Sequence, residues 1–115
     1  GEGVVEIQAS DNIEVLRSMG RDPLVIGNPS SREFMGLIRL MDRAVAAAPG
    51  VEAPVLMLYG AKDEVTPEDP VRAAFAALPG EKSFRLYEEG WHLLFRDLQA
   101  KQVWSDVAAW METRL

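Results

Sequence analysis

Val55-Leu-Met-Leu-Tyr59 runs straight into Gly60-Ala-Lys-Asp63-Glu-Val-Thr-Pro67, and the reading of this stretch decides the fold. The first run is apolar at every position, which suits a strand buried on both faces, as in a parallel sheet. Asp69-Pro70 then reads as an N-cap and first helical residue. Val71, Ala74, Phe75 and Leu78 fall at i, i+3, i+4 and i+7, one face of a helix that Pro79-Gly80 closes. Beyond it, in Ser83–Tyr87, Phe84 and Leu86 alternate with Arg85 and Tyr87, the period of a second strand. Strand, helix and strand in this order make a βαβ unit, and the fold class is α/β.

Outward from this unit, Ser30-Ser-Arg-Glu33 has the spacing of a capping box. Phe34, Leu37, Ile38, Met41 and Val45 follow on one helical face, and Leu40, Ala44 and Ala47 widen it. The pattern predicts a helix that packs on two sides and ends at Pro49-Gly50. Nearer the N-terminus, Ser10 or Asp11 caps a short helix with Ile13, Leu16 and Met19 on its apolar face, and Gly20 stops it. Arg21 to Pro29, broken by prolines and a glycine, reads as an extended connection. The last helix runs from about Leu98 to Leu115, with Trp104, Val107, Ala108, Met111 and Leu115 as its buried face and Trp110 off that stripe.

Size and composition narrow the function. A chain of 115 residues is one domain or part of one. Its net charge of −6 speaks against nucleic acid, which needs clustered Lys and Arg. With no cysteine and a single histidine, disulfides, thiolate chemistry and His-rich metal sites are out, and no cofactor is implied. No apolar run approaches the ~20 residues that span a bilayer. Gly1–Glu6 lacks the basic start and apolar core of a signal peptide. A cytoplasmic protein fits these features. The chain does not begin with Met, so it reads as processed, clipped or cut from a longer one.

The chemistry-bearing residues are Asp63 and His92. Asp63 lies four residues beyond Tyr59, and His92 lies five beyond Tyr87. Loops after the C-terminal ends of parallel strands gather on one sheet edge, where such sheets bind ligands. If the strands are neighbours, both side chains emerge there. A carboxylate beside an imidazole holds one tautomer and stabilises the imidazolium formed on taking a proton. Gly60 and Gly90 let the backbone turn beside the site. Taken singly, an Asp after a strand is usually a turn residue and a lone His is usually satisfied surface or core; the pairing at matched strand ends is what points to catalysis. Glu64, Glu88 and Glu89 lie nearby and read as solvated loop charges, with Glu88 or Glu89 as the alternative acid.

Pro54-Val-Leu-Met-Leu-Tyr-Gly-Ala-Lys-Asp63-Glu-Val-Thr-Pro67 resembles the acid-bearing segment of α/β-hydrolases, and Gly90-Trp-His92-Leu-Leu-Phe-Arg-Asp97 resembles their histidine segment. Within that superfamily the chain is most similar to the monoacylglycerol lipase and lysophospholipase group, the serine aminopeptidase-like hydrolases. Arg21-Asp-Pro-Leu24 and the Phe34–Ala48 helix resemble the end of that group's cap and the helix returning to the sheet. The resemblance spans about residue 10 to the end. It implies residues 1–29 as the end of a cap and residues 30–115 as the C-terminal part of the hydrolase core. Asp63 and His92 stand where the family carries two members of a Ser-His-Asp triad.

The family's third member sits in a Gly-x-Ser-x-Gly elbow, in the chain order Ser, acid, His. None is present here: Ser10, Ser18, Ser30, Ser31, Ser83 and Ser105 all lack the flanking glycines. The resemblance therefore implies the C-terminal half of an ester hydrolase, inactive alone, acting on monoacylglycerol-like or lysophospholipid-like substrates once joined to the half that bears the nucleophile. An amide, epoxide or carbon–carbon hydrolase shares the same Asp and His. A non-catalytic binding or assembly module is the rival from another class. An unpaired edge on the 55–59 strand predicts self-association in either case.

Overall fold

A computed structural model describes residues 6–115. Part of the segment read as the end of a cap, residues 1–5, lies outside the described residues. The elements are α1 (Ile13–Arg21), α2 (Ser31–Ala47) with a 3₁₀ turn at Ala48–Gly50, β1 (Val55–Gly60), α3 (Glu68–Ala77), β2 (Lys82–Tyr87) and α4 (Ala100–Glu112). β1 and β2 pair in parallel, with Val55 opposite Lys82 and Gly60 opposite Tyr87. The βαβ unit is thus present, and both strands end at the same edge.

Local chemistry explains most element boundaries. Ser30 Oγ accepts from the Glu33 amide at 3.3 Å while Glu33 Oε2 accepts from the Ser30 amide at 2.6 Å, the reciprocal capping box that starts α2. The Ser30 bonds hold the Glu33 carboxyl below its ordinary pKa. Lys82 closes the other end of the βαβ unit. Its ammonium donates to the carbonyls of Phe75, Ala76 and Leu78 at the C-terminal end of α3. Phe75 and Phe84 meet edge to face at 5.3 Å and join α3 to β2.

Several sequence expectations are corrected. The α1 cap is Asn12, whose side chain accepts from the Val15 amide, and not Ser10 or Asp11. Gly20 lies inside α1 without a positive φ, and the helix stops at Asp22, whose side chain turns back to the Leu24 amide. Ile13 is exposed, and Val15 takes its place beside Leu16 and Met19. α3 begins at Glu68 with Pro67 as cap, two residues earlier than expected. The inward stripe of α4 is Ala100 and Val103, both buried, with Val107 and Trp110 half-buried; Trp104, Ala108, Met111 and Leu115 are exposed. That stripe repeats at i, i+3, i+7 and i+10, so the helix is rotated by about one residue from the expected face. Asp106 sits on the inward side because Tyr87 and Arg85 bind it.

The helix α2 does not pack on two sides. Only Ile38 of its apolar face is half-buried, and Phe34, Leu37, Leu40, Met41 and Val45 are exposed. Its main contact with another element is with the Ala48–Gly50 turn at its end. β1 likewise is half-buried along Val55–Leu58 and buried only at Tyr59 and Gly60, because β2 is its one strand neighbour among the described residues. No described helix is long and apolar enough to cross a membrane.

Candidate active site

The parallel register sets the two post-strand loops side by side. The Ala61 amide donates to the Tyr87 carbonyl at 2.9 Å, continuing the ladder past β1, and the Lys62 amide donates to the Gly90 carbonyl at 2.9 Å. Lys62 Nζ and the Glu89 carboxylate form an ion pair across the same gap. Gly60 and Gly90 are buried where the loops cross. Neither has a positive φ, so the sequence-based reason for them is corrected: they permit close approach, not a left-handed turn.

Asp63 and His92 meet across this junction. Asp63 Oδ2 lies 3.0 Å from His92 Nδ1. The other carboxylate oxygen, Oδ1, accepts from the amides of Val65 and Thr66 at 2.8 and 2.9 Å. Those amides fix the carboxylate in place. An ionised carboxylate only accepts, so the tautomer that makes this hydrogen bond is the one with its proton on Nδ1. The acid side chain is 6% exposed and the histidine side chain 38% exposed. The pair thus has a sheltered acid and an accessible ring.

Tyr59 completes the acid loop. Its hydroxyl donates to the Thr66 carbonyl at 2.6 Å, bracing the turn from beneath. Burial raises the phenol's pKa, and the charges of Asp63 and Glu68 add to the rise. An open groove of about 850 Å³ passes His92 along β1, walled by Leu56, Leu58, Val107 and Trp110. Its lining is mainly apolar, which suits a hydrophobic occupant. Among the described residues, no group of three or more His, Cys, Asp and Glu side chains converges as a metal site would.

The neighbouring glutamates do not reach the histidine. Glu64 Oε2 accepts from the Gln8 amide at 2.7 Å, Glu89 pairs with Lys62, and Glu88 is exposed. Glu64 and Glu89 therefore hold loops together as well as facing solvent. Sequence reasoning missed Asp97 and Ser10. Asp97 is 3% exposed; its Oδ1 accepts from Ser10 Oγ at 2.6 Å and its Oδ2 from the Trp91 amide at 2.8 Å. A carboxylate among the leucines and phenylalanine of Leu93–Leu98 was the available signal. Nothing local marks Ser10, whose partner is 87 residues away.

Comparison with known proteins gives the same fold. A monoacylglycerol lipase from Paleococcus ferrophilus superposes with a TM-score of 0.82 at 27% sequence identity. The match covers 93% of this chain and 42% of that lipase, so the chain spans less than half of its length. Residues 4–99 match the family described as serine aminopeptidase, S33. The match takes in β1, α3, β2 and both post-strand loops, and the chain belongs to this family of α/β-hydrolases.

Proposed function

We propose that this chain is the C-terminal part of a serine hydrolase and supplies two members of its catalytic triad. His92 takes the proton of a serine carried by an N-terminal part of the same fold, then returns it to the leaving alcohol. Asp63 holds the imidazole in the required tautomer and stabilises the imidazolium. The observation that carries this reading is the 3.0 Å contact of Asp63 Oδ2 with His92 Nδ1, on a carboxylate already fixed by two amides. The substrate class is a carboxylic ester with an acyl chain, of the monoacylglycerol or lysophospholipid kind. The apolar groove beside His92 and the likeness to a monoacylglycerol lipase support that class.

In this reading, residues 1–29 end a cap and residues 30–115 form the last strands and helices of the core. The exposed face of α2 and the unpaired edge of β1 are the surfaces that the N-terminal part covers. A fluorophosphonate probe, which labels only an activated serine, tests the assignment. The chain alone should stay unlabelled and show no turnover of p-nitrophenyl esters. The parent protein should label, and His92→Ala should abolish labelling. Esterase turnover by the chain alone that His92→Ala removes would contradict the missing-serine reading.

A further inference from the structure

We infer that Asp97 is a positioning residue for His92, acting with Ser10 to lock the segment 8–12 against the histidine loop. This rests on the reading of His92 as the base. The two residues on either side of His92 are each pinned through their amides. The Trp91 amide donates to Asp97 Oδ2 at 2.8 Å, and the Leu93 amide donates to the Ala9 carbonyl at 3.0 Å. The histidine backbone is therefore fixed from both sides, and both fixings trace to segment 8–12.

Asp97 is the centre of the lock. It is a buried carboxylate with no cationic partner among the described residues. Such a group persists only when hydrogen bonds satisfy it. Here one oxygen takes the Ser10 hydroxyl and the other takes Trp91 N–H. Ser10 is fully buried, and its Oγ also accepts from the Asn12 amide at 3.1 Å. Asn12 Nδ2 donates to the Arg96 carbonyl and the Leu98 amide donates to Asp11 Oδ1, both at 2.9 Å. At the near end the Gln8 amide donates to Glu64 Oε2 in the acid loop. Segment 8–12 thus touches both loops of the site and leads directly into α1.

Both oxygens of residue 97 accept here. An asparagine there either sets an N–H against the Trp91 amide or turns it to the Ser10 oxygen, which must then accept and leave its own buried hydroxyl proton without the carboxylate. The loop then relaxes, and His92 leaves its place opposite Asp63.

The single histidine makes the test direct. In the chain labelled with ¹⁵N at the imidazole, nuclear magnetic resonance reads the tautomer and the Nδ1 proton of His92 without overlap. The wild type should give one tautomer, protonated at Nδ1, with that proton shifted downfield by the Asp63 carboxylate. Asp97→Asn and Ser10→Ala should each lose the downfield proton and mix the two tautomers. Ser10→Ala keeps the test open if Asp97→Asn does not fold. Lys82→Met, which removes the α3 cap far from the loop, serves as a control that lowers the melting temperature without touching the lock. If the His92 signals of folded Asp97→Asn and Ser10→Ala match the wild type, or if Lys82→Met loses the downfield proton equally, the positioning role is overturned. Asp63→Asn separates the two ideas: if it leaves the His92 signals unchanged, the base reading fails and the inference falls with it.

Discussion

Gly60 and Gly90 press against one another where the two loops cross. The Cα of Gly60 lies 3.1 Å from where a Cβ on residue 90 would sit, and a Cβ on residue 60 would meet the Gly90 carbonyl carbon at 2.5 Å. Both are backbone contacts, which no side-chain rotation relieves. Gly60→Ala should therefore destabilise the fold by about 3 kcal/mol, the upper end of overpacking penalties. Denaturant unfolding measures it, and Gly20→Ala, which meets nothing within 4 Å, should cost nothing or stabilise α1.

The inward face of α4 gives a second prediction. Val103 is fully buried and Trp104 is about half exposed. Val103→Ala should lower stability by about 2 kcal/mol. Trp104→Ala, despite losing a far larger side chain, should cost less, with loss of the indole's bond to the Phe95 carbonyl as its main effect. Thermal unfolding of the two variants compares the assignments; a costlier Trp104→Ala would restore the face expected from the apolar pattern.

A third prediction concerns pH. Tyr87 donates to Asp106 Oδ2 at 2.8 Å, and Arg85 binds the other oxygen at 3.0 Å. Burial pushes the Tyr87 phenol up to about 12, with the Asp106 hydrogen bond adding to the rise. The Tyr87 bond first, and the Gln102 and Arg85 contacts after it, hold the Asp106 carboxyl below its ordinary value. A raised phenol pKa gives stability that is complete below the unfolded value near 10 and is lost as pH climbs towards 12. A lowered carboxyl pKa gives stability that is present above the ordinary carboxylate range and is lost as pH falls through the depressed value. In Tyr59→Phe, the one remaining tyrosine should ionise well above pH 10 by its ultraviolet absorbance, and Asp106→Asn should bring it down.

The exposed surfaces give a fourth. The β1 edge has no second partner strand among the described residues, and α2 carries an exposed apolar face. Free backbone edges and contiguous apolar patches recruit partners. The chain should associate with itself at tens of micromolar and bind an apolar dye. Sedimentation of a clean monomer with no dye binding would count against this.

Much of this was legible in the sequence. The βαβ unit, the capping box and the meeting of Asp63 with His92 follow from local periodicity and from loop positions after parallel strands. What was not legible depended on long-range partners. The rotation of α4 is set by Tyr87 and Arg85 reaching Asp106 from another element. The Ser10–Asp97 bond closes over almost the whole chain, so no window of sequence contains it. The two-sided packing expected of α2 did not appear, because an apolar stripe sets which face a helix can bury and not which residues cover it.

The most direct measurement is the turnover of the full hydrolase that the proposal requires, carrying Asp63→Asn. The change keeps the side chain's shape and removes the charge opposite Nδ1. In a serine protease with the same triad logic, that substitution costs roughly 10⁴-fold in turnover. The account predicts a kcat lower by a few orders of magnitude with little change in melting temperature, while Glu64→Gln, Glu88→Gln and Glu89→Gln each cost far less. His92→Ala combined with Asp63→Asn should be no worse than His92→Ala alone. Near-wild-type turnover in Asp63→Asn, with one of the glutamate variants crippled instead, would contradict the assignment of Asp63 as the acid of the pair.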